Sequence, residues 1–296
     1  MTQPIRRAIV AVAAVVASAA MLAVASPALA VIHHPKGEFA VFAECPLNNP
    51  EAPFCIVAKT ESGEFSIGKE KVPITNPITL QGGVANFLEP NEKFYAAENG
   101  NTLTKSPQKV PGGLTGLVKC NEISNFLERL ACEAVFENGL TGVTATTELA
   151  GPASSIGVHA EALLHDSGIA LSLPLKIHLE NPLLGNSCYI GSNAHPIVIE
   201  FTPATTSPPP PNEPITGKAG ELSGNEAGTI VFNKGNELVN NSYPSPGAEG
   251  CGGIFSFLID PIVDSKLGLP SAAGKNTAIL SGTLEVTVAE FVKASE

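Results

Sequence analysis

The chain has 296 residues, with 17 Lys+Arg against 28 Asp+Glu, a formal net charge of −11 and no Trp. That acidity opposes a phosphate backbone, and no Lys/Arg cluster offsets it, so nucleic-acid binding is excluded. Asp166, Asp260 and Asp264 are the only aspartates, too few for the closely spaced ligands of repeated calcium loops.

The N-terminus reads as a targeting segment. Arg6 and Arg7 form a positive region, residues 8–25 are apolar or small, and Ala28-Leu29-Ala30 is an A-x-A processing site. Residues 1–30 are therefore expected to be a secretory signal peptide, cleaved after Ala30. Eighteen apolar residues could nearly span a bilayer. The Ala/Val mixture and the processing site favour export over anchoring, so an extracellular or cell-surface protein is expected, without a membrane contact after cleavage. Loss of Arg6 and Arg7 lowers Lys+Arg from 17 to 15 against 28 acids, leaving 31–296 with a net charge of −13.

All six cysteines lie beyond the cleavage site: Cys45, Cys55, Cys120, Cys132, Cys188 and Cys251. An even count in an exported chain predicts disulfides, with fifteen possible connectivities. Proximity suggests Cys45–Cys55 and Cys120 with Cys132, leaving Cys188–Cys251. Loop entropy would give roughly 3 kcal/mol for each short link and about 4 for the long one. No C-x-x-C occurs, and the spacings fit zinc motifs poorly.

Period-2 alternation and frequent Gly and Pro dominate residues 31–296. Residues 38–44, 54–59 and 64–68 read as the first strands, with Cys45–Cys55 stapling the connection between the first two. Residues 73–83 carry Pro and read as edge strands or a crossing loop, and 99–113 as loop. Residues 124–135 repeat Phe126, Leu127, Leu130, Ala131, Ala134 and Val135 at helical spacing, predicting a helix that lids the sheet. Strands resume at 142–149 and 169–180. In the latter, Leu171, Leu173, Leu175, Ile177 and Leu179 face one way; Ser172, Lys176, His178 and Glu180 face water. His178 is expected to be solvated there. Residues 196–202 and 229–233 are strands flanking a Pro-rich loop near 203–214. The run 208–211 should stiffen that loop as a projecting polyproline II segment, a candidate contact for a protein or cell-surface partner. Asp260 before Pro261, with Gly268 beyond, predicts a short helix over 261–267. Residues 283–292 alternate again. The expectation is a mainly β chain: an antiparallel sandwich or barrel with one or two short helices, disulfide-stapled, as a single domain over 31–296.

No recognised nucleophile, zinc-protease, dinucleotide or phosphate-loop motif is present. His165-Asp166-Ser167 places triad residue types side by side, but triads assemble from separated positions, so a polar turn is the better account. His195 reads as a loop residue, and His159 and His165 lack a carboxylate partner legible in sequence. Paired Glu carboxylates could serve glycoside hydrolysis, though no spacing singles out a pair. One feature is sharper. Cleavage after Ala30 would leave Val31-Ile32-His33, whose amine, two amides and imidazole can wrap Cu²⁺ or Ni²⁺ in a square-planar nitrogen set; no other cofactor is expected.

The blocks ESGEFSIGK, VPI with PITLQGG, VPGGLTG, FENGLTGVTATTELA, NPLLGNSCYIG, TTSPPPPNEPI and FLIDPIVDSKLGLPSAAGKNTAILSGTL run through most of 31–296. In these the chain resembles a group of secreted, β-rich actinobacterial proteins of no assigned activity. The resemblance implies export and a shared fold, and lends no mechanism. The expected function is non-enzymatic, a structural or surface-interaction role outside the cell. The alternatives are a small-ligand or metal-ion binding module and, third, a carbohydrate-active hydrolase.

Overall fold

Fourteen strands in two antiparallel sheets organise the computed structural model, which describes residues 33–114, 124–132 and 142–296. In chain order they are β1 (Phe54–Ile67), β2 (Glu70–Pro73), β3 (Ile78–Ala85), β4 (Lys93–Ala96), β5 (Gln108–Lys109), β6 (Thr144–Leu149) and β7 (Gly157–Val158), then β8 (Leu171–Glu180), β9 (Tyr189–Ile190), β10 (Ile197–Phe201), β11 (Glu221–Gly224), β12 (Ile230–Asn240), β13 (Ala248–Glu249) and β14 (Thr277–Val288). Among the described residues four α-helices accompany them: α1 (Phe126–Cys132), α2 (Glu161–His165), α3 (Ser256–Leu267) and α4 (Ala289–Ala294).

The first sheet runs β11-β12-β14-β1-β3-β4, with β2 beside β1; the second runs β13-β9-β8-β6-β5, with β7 and β10 also on β8. The arrangement is sandwich-like, and a Thr202–Val239 bridge ties the end of β10 to β12 at one corner. The inward set of β8, Leu173, Leu175, Ile177 and Leu179, is buried as its alternation requires. It shares one core with Ile56, Phe65, Leu80 and Leu280 of the first sheet. Cavities of about 40 to 70 Å³ remain between the sheets, lined mainly by aliphatic side chains.

A second, smaller core lies on the far side of the first sheet, where Cys55 and Ile230 meet Phe42, Leu47, Ala289 and Val292. It explains two departures from the sequence reading. Residues 38–44 do not form a strand: Gly37–Phe42 is a 3-10 turn. Phe39 and Phe42, three apart, eclipse on such a turn and can both pack against this sheet. Cys45–Cys55 consequently ties a turn to β1 rather than two strands together. The predicted strand over 283–292 ends at Val288, and α4 succeeds it because Ala289 and Val292, also three apart, cover the same cluster.

Other differences are of extent. The strands predicted at 54–59 and 64–68 are one strand, continuous through a bulge between Thr60 and Ser62. Residues 73–83 contribute β3, which lies inside the first sheet between β1 and β4. The helix expected over 261–267 begins at Ser256 and stops, as expected, at a left-handed Gly268 (φ 71°). The helix expected over 124–135 is observed as α1, its last three predicted residues lying outside the described ones. It is no lid: Phe126, Leu127 and Leu130 are exposed.

The Pro-rich stretch lies within the unit Val31–Glu296, as a loop between β10 and β11. It does not project freely. Thr206 donates its amide to Ile215 (2.8 Å), and Asn212 Nδ2 donates to the carbonyls of Asn241 and Asn276 (both 2.9 Å). These bonds lay the run back on the molecule. Among the described residues, no helix is long and apolar enough to cross a membrane.

Candidate functional site

The described surface is most distinctive just after Cys251. Ile254 is 85% exposed, Phe255 54% and Phe257 71%. Burying one such side chain is worth roughly 1.5–3 kcal/mol, so three left in water within four positions forgo a large stabilisation. Ile254 and Phe255 lie in the 3-10 turn Gly253–Phe255, and the geometry of α3 explains the position of Phe257. Ile259, Val263 and Leu267, spaced by four, form its buried face. Phe257 precedes Ile259 by two residues, about 200° round the helix, and therefore points away from the core.

What holds this knob is rigid. Cys251 is bonded to Cys188 at the edge of β9. The Asp260 carboxylate accepts the amides of Gly250 (3.1 Å) and Cys251 (2.7 Å), and that of Asp264 accepts the amide of Ala248 (2.6 Å). Asp260 thus clamps the preceding turn instead of capping the helix. Gly252 donates to the Leu184 carbonyl (2.7 Å) from a left-handed conformation (φ 75°), and a Cβ on it would sit 2.6 Å from Ile259 Cγ1. Burial raises the pKa of both aspartates, for Asp260 with help from Asp264 and Glu249 close by. Asp264 and Glu249 are close enough to Asp260 to act on it beneath the knob, and Lys266 lies in the last turn of α3. The knob is apolar with an acidic base.

A second grouping occupies the outward face of the second sheet. Glu148 lies between Lys105 (2.9 Å) and Lys176 (3.9 Å). Glu180 accepts the hydroxyls of Thr144 (3.2 Å) and Thr146 (2.9 Å). His178 pairs with Tyr189 across the β8–β9 ladder and stacks on it at 4.5 Å, with Lys176 also 4.7 Å over the Tyr189 ring. Burial, then Glu148, raises the Tyr189 pKa. His178 faces outward as predicted, yet it is not solvated. Its side chain is only 16% exposed, because the Tyr189 ring, invisible to single-strand alternation, covers it. Each carboxylate of the grouping holds partners, whereas His178 Nε2 is buried without a hydrogen-bond partner among the described residues.

The remaining predicted residues are dispersed. Cys45–Cys55 is bonded as proximity suggested, and Cys188–Cys251 as elimination left it. Of the third expected pair, Cys120 and the side chain of Cys132 lie outside the described residues. His33 is well placed: Nδ1 is 2.8 Å from Glu296 Oε1, Asn48 Nδ2 donates to Nε2 at 3.3 Å, and its side chain is 8% exposed. Val31 and Ile32, which would complete a copper set, lie outside the described residues. His195 closes a turn with Ser192, whose Oγ accepts the His195 amide at 3.2 Å. His165 and Asp166 end α2, Asp166 in a left-handed cap (φ 50°), so the His-Asp-Ser run is the polar turn expected. Among the described residues, no three His, Cys, Asp or Glu side chains converge as a metal site. A shallow groove of about 580 Å³ is walled by Pro196, Val198, Pro244, Pro246 and Pro270 and contains no titratable group. The knob itself went unread in sequence, since IFSFLID looks like any buried helix start; the Gly-Gly before it was the available signal. Comparison with protein-family models, with curated proteins and with solved structures returns no match.

Proposed function

We propose that this chain is an exported, disulfide-stapled protein that acts by docking rather than by catalysis. Its contact is the knob at 254–257, and its partner is a protein whose apolar cleft is edged by Lys or Arg. The carrying observation is the rigid exposure of Ile254, Phe255 and Phe257 above an acidic base. Pre-organised aromatic anchors limit the entropy lost on binding, and such anchors dominate interface energetics. The acidic base disfavours a second copy, which would bring like charge, and an anionic lipid surface for the same reason. The signal-like N-terminus and the resemblance to secreted actinobacterial proteins support export, and the two disulfides are compatible with it.

The test is in-cell cross-linking from a photoreactive phenylalanine analogue at residue 257. We expect an adduct with a second protein, mapping beside apolar residues flanked by Lys or Arg, that is lost when Ile254→Ser and Phe255→Ser are added. A lipid adduct, a self-adduct or no adduct would overturn the proposal. An unchanged melting temperature in the Ser variants shows that loss of the adduct is not loss of fold.

A further inference from the structure

Strand β6 carries one residue whose chemistry does not match its place. Alternation sends Ala145 and Thr147 inward, while Thr146 and Glu148 face out and bond Glu180, Lys105 and Lys176. Thr147 is 6% exposed and pairs with Ile177 of β8, yet its Oγ1 has no hydrogen-bond partner among the described residues. An unbonded buried hydroxyl destabilises a fold, and Val would fill nearly the same shape without it.

Two cavities of about 40 Å³ each flank this residue, and Phe65 and Thr147 line both. The first runs along Ile177 and Leu179 and extends to the half-buried Glu70 and Val72 of β2. The second is walled by Leu80, Leu173 and Leu175. Three other polar side chains touch them. Gln108 has both ends of its amide bonded, to the backbone of Thr75, Asn76 and Ser106. Glu70 lines only the first cavity and Thr60 only the second.

Water suits such a place poorly, because an interior water makes about three hydrogen bonds and the walls beside Thr147 are hydrocarbon. A molecule that is itself mostly hydrocarbon suits it well. At roughly 10–15 Å³ for each water-sized group, each cavity accepts about three carbons. Among the described residues no Lys, Arg or His lines either cavity, so an anion would find no counter-charge. Burial raises the Glu70 pKa despite Lys266 nearby, so that end of the space already resists charge.

We infer that the two cavities are the arms of one binding site for a small neutral aliphatic molecule with its oxygen in mid-chain, such as a dialkyl ketone. One alkyl arm enters each cavity, and the ketone oxygen accepts the Thr147 hydroxyl. The unfolded chain offers no such space, so binding stabilises the folded protein by linkage. The site shares no residue with the knob at 254–257, and neither proposal rests on the other.

The purified protein is titrated with heptan-4-one, whose carbonyl carries two equal propyl arms, and with heptan-2-one, the same atoms with the oxygen near one end. Calorimetry should show a single site for heptan-4-one, tighter than for heptan-2-one by about 3-fold or more, within what one net hydrogen bond supplies. The melting temperature should rise with ketone concentration. Thr147→Val should weaken heptan-4-one binding by about 3-fold or more. Without ketone it should melt no lower than the parent, since it removes an unbonded hydroxyl. Ala145→Leu, which fills part of the first cavity, should abolish binding. No binding of heptan-4-one, equal affinity for the two ketones, or retained binding in Ala145→Leu overturns the site. Equal affinity in Thr147→Val overturns the role of its hydroxyl. A lower melting temperature of Thr147→Val without ketone would mean that the fold or an interior water already satisfies that hydroxyl, and would overturn it too.

Discussion

Asp264 shows how one side chain serves both the fold and the knob. Its carboxylate accepts the Ala248 amide and thereby fixes the strand that leads to Cys251. Burial raises its pKa above the ordinary 3.8 despite that bond. The folded chain therefore keeps a proton at pH values where the unfolded chain has lost it. The stability this contributes is full below the ordinary pKa and is lost as pH rises through the folded one. Asn at this position retains an acceptor for Ala248 and never ionises. Melting Asp264→Asn beside the parent should give curves that separate in the variant's favour between about pH 4 and neutrality. A gap independent of pH would show that Asp264 is not desolvated. The sequence offered Asp260 and Asp264 only as part of a short helix; their partners, 9 to 16 residues upstream, depend on a turn that local periodicity cannot place.

Among the elements, β14 matters most, lying between β12 and β1 at the centre of the first sheet. Both neighbours shift register beside one residue of it: β1 between Thr60 and Ser62, β12 between Lys234 and Asn236, each opposite Gly282. Two bulges at one level bend the sheet, and the strands approach closely there. A Cβ on Gly282 would lie 1.9 Å from the Lys59 carbonyl oxygen and 3.0 Å from Thr60 Cα, backbone atoms that cannot swing aside. Gly282→Ala should cost about 3 kcal/mol, read from the urea midpoint; a midpoint within error of the parent would mean that the bulges are not forced by this contact. The same strand shows what was legible. Alternation identified its second half, from residue 283, and all of β8, because a strand with one face buried writes its environment every second residue. It failed at 289–292, where the pattern continues but Ala289 and Val292 meet a cap rather than a sheet, and at 38–44, where no partner strand exists. Short strands such as β9 and β13 are two residues long and owe their existence to neighbours, so no periodicity could announce them. The knob was illegible for the opposite reason: its residues look like core, and only the 3-10 turn Gly253–Phe255 and the orientation of α3 turn them outward.

At the scale of the whole molecule, the Cys188–Cys251 bond encloses the passage from one sheet to the other. Between its ends lie β9 and β10 of the second sheet, then the Pro-rich loop, then β11 and β12 of the first, and finally β13, which returns to the second. A cross-link around such a segment acts chiefly on the unfolded chain, whose entropy falls with the logarithm of loop length. With a separation of 63 residues against 10 for Cys45–Cys55, the long bond should contribute about 4 kcal/mol and the short one about 3. Cys188 and Cys251 are also fully buried, so their replacement leaves space that adds to the loss. The paired variant Cys188→Ala/Cys251→Ala should therefore be destabilised more than Cys45→Ala/Cys55→Ala, by at least about 1 kcal/mol in urea unfolding. It should also show a steeper denaturant dependence, because the freed loop exposes more surface when unfolded. The reverse order would place the weight of the short bond in the outer core of Phe42, Leu47 and Val292, and would make that minor core, rather than the sheet-to-sheet passage, what the covalent framework chiefly protects.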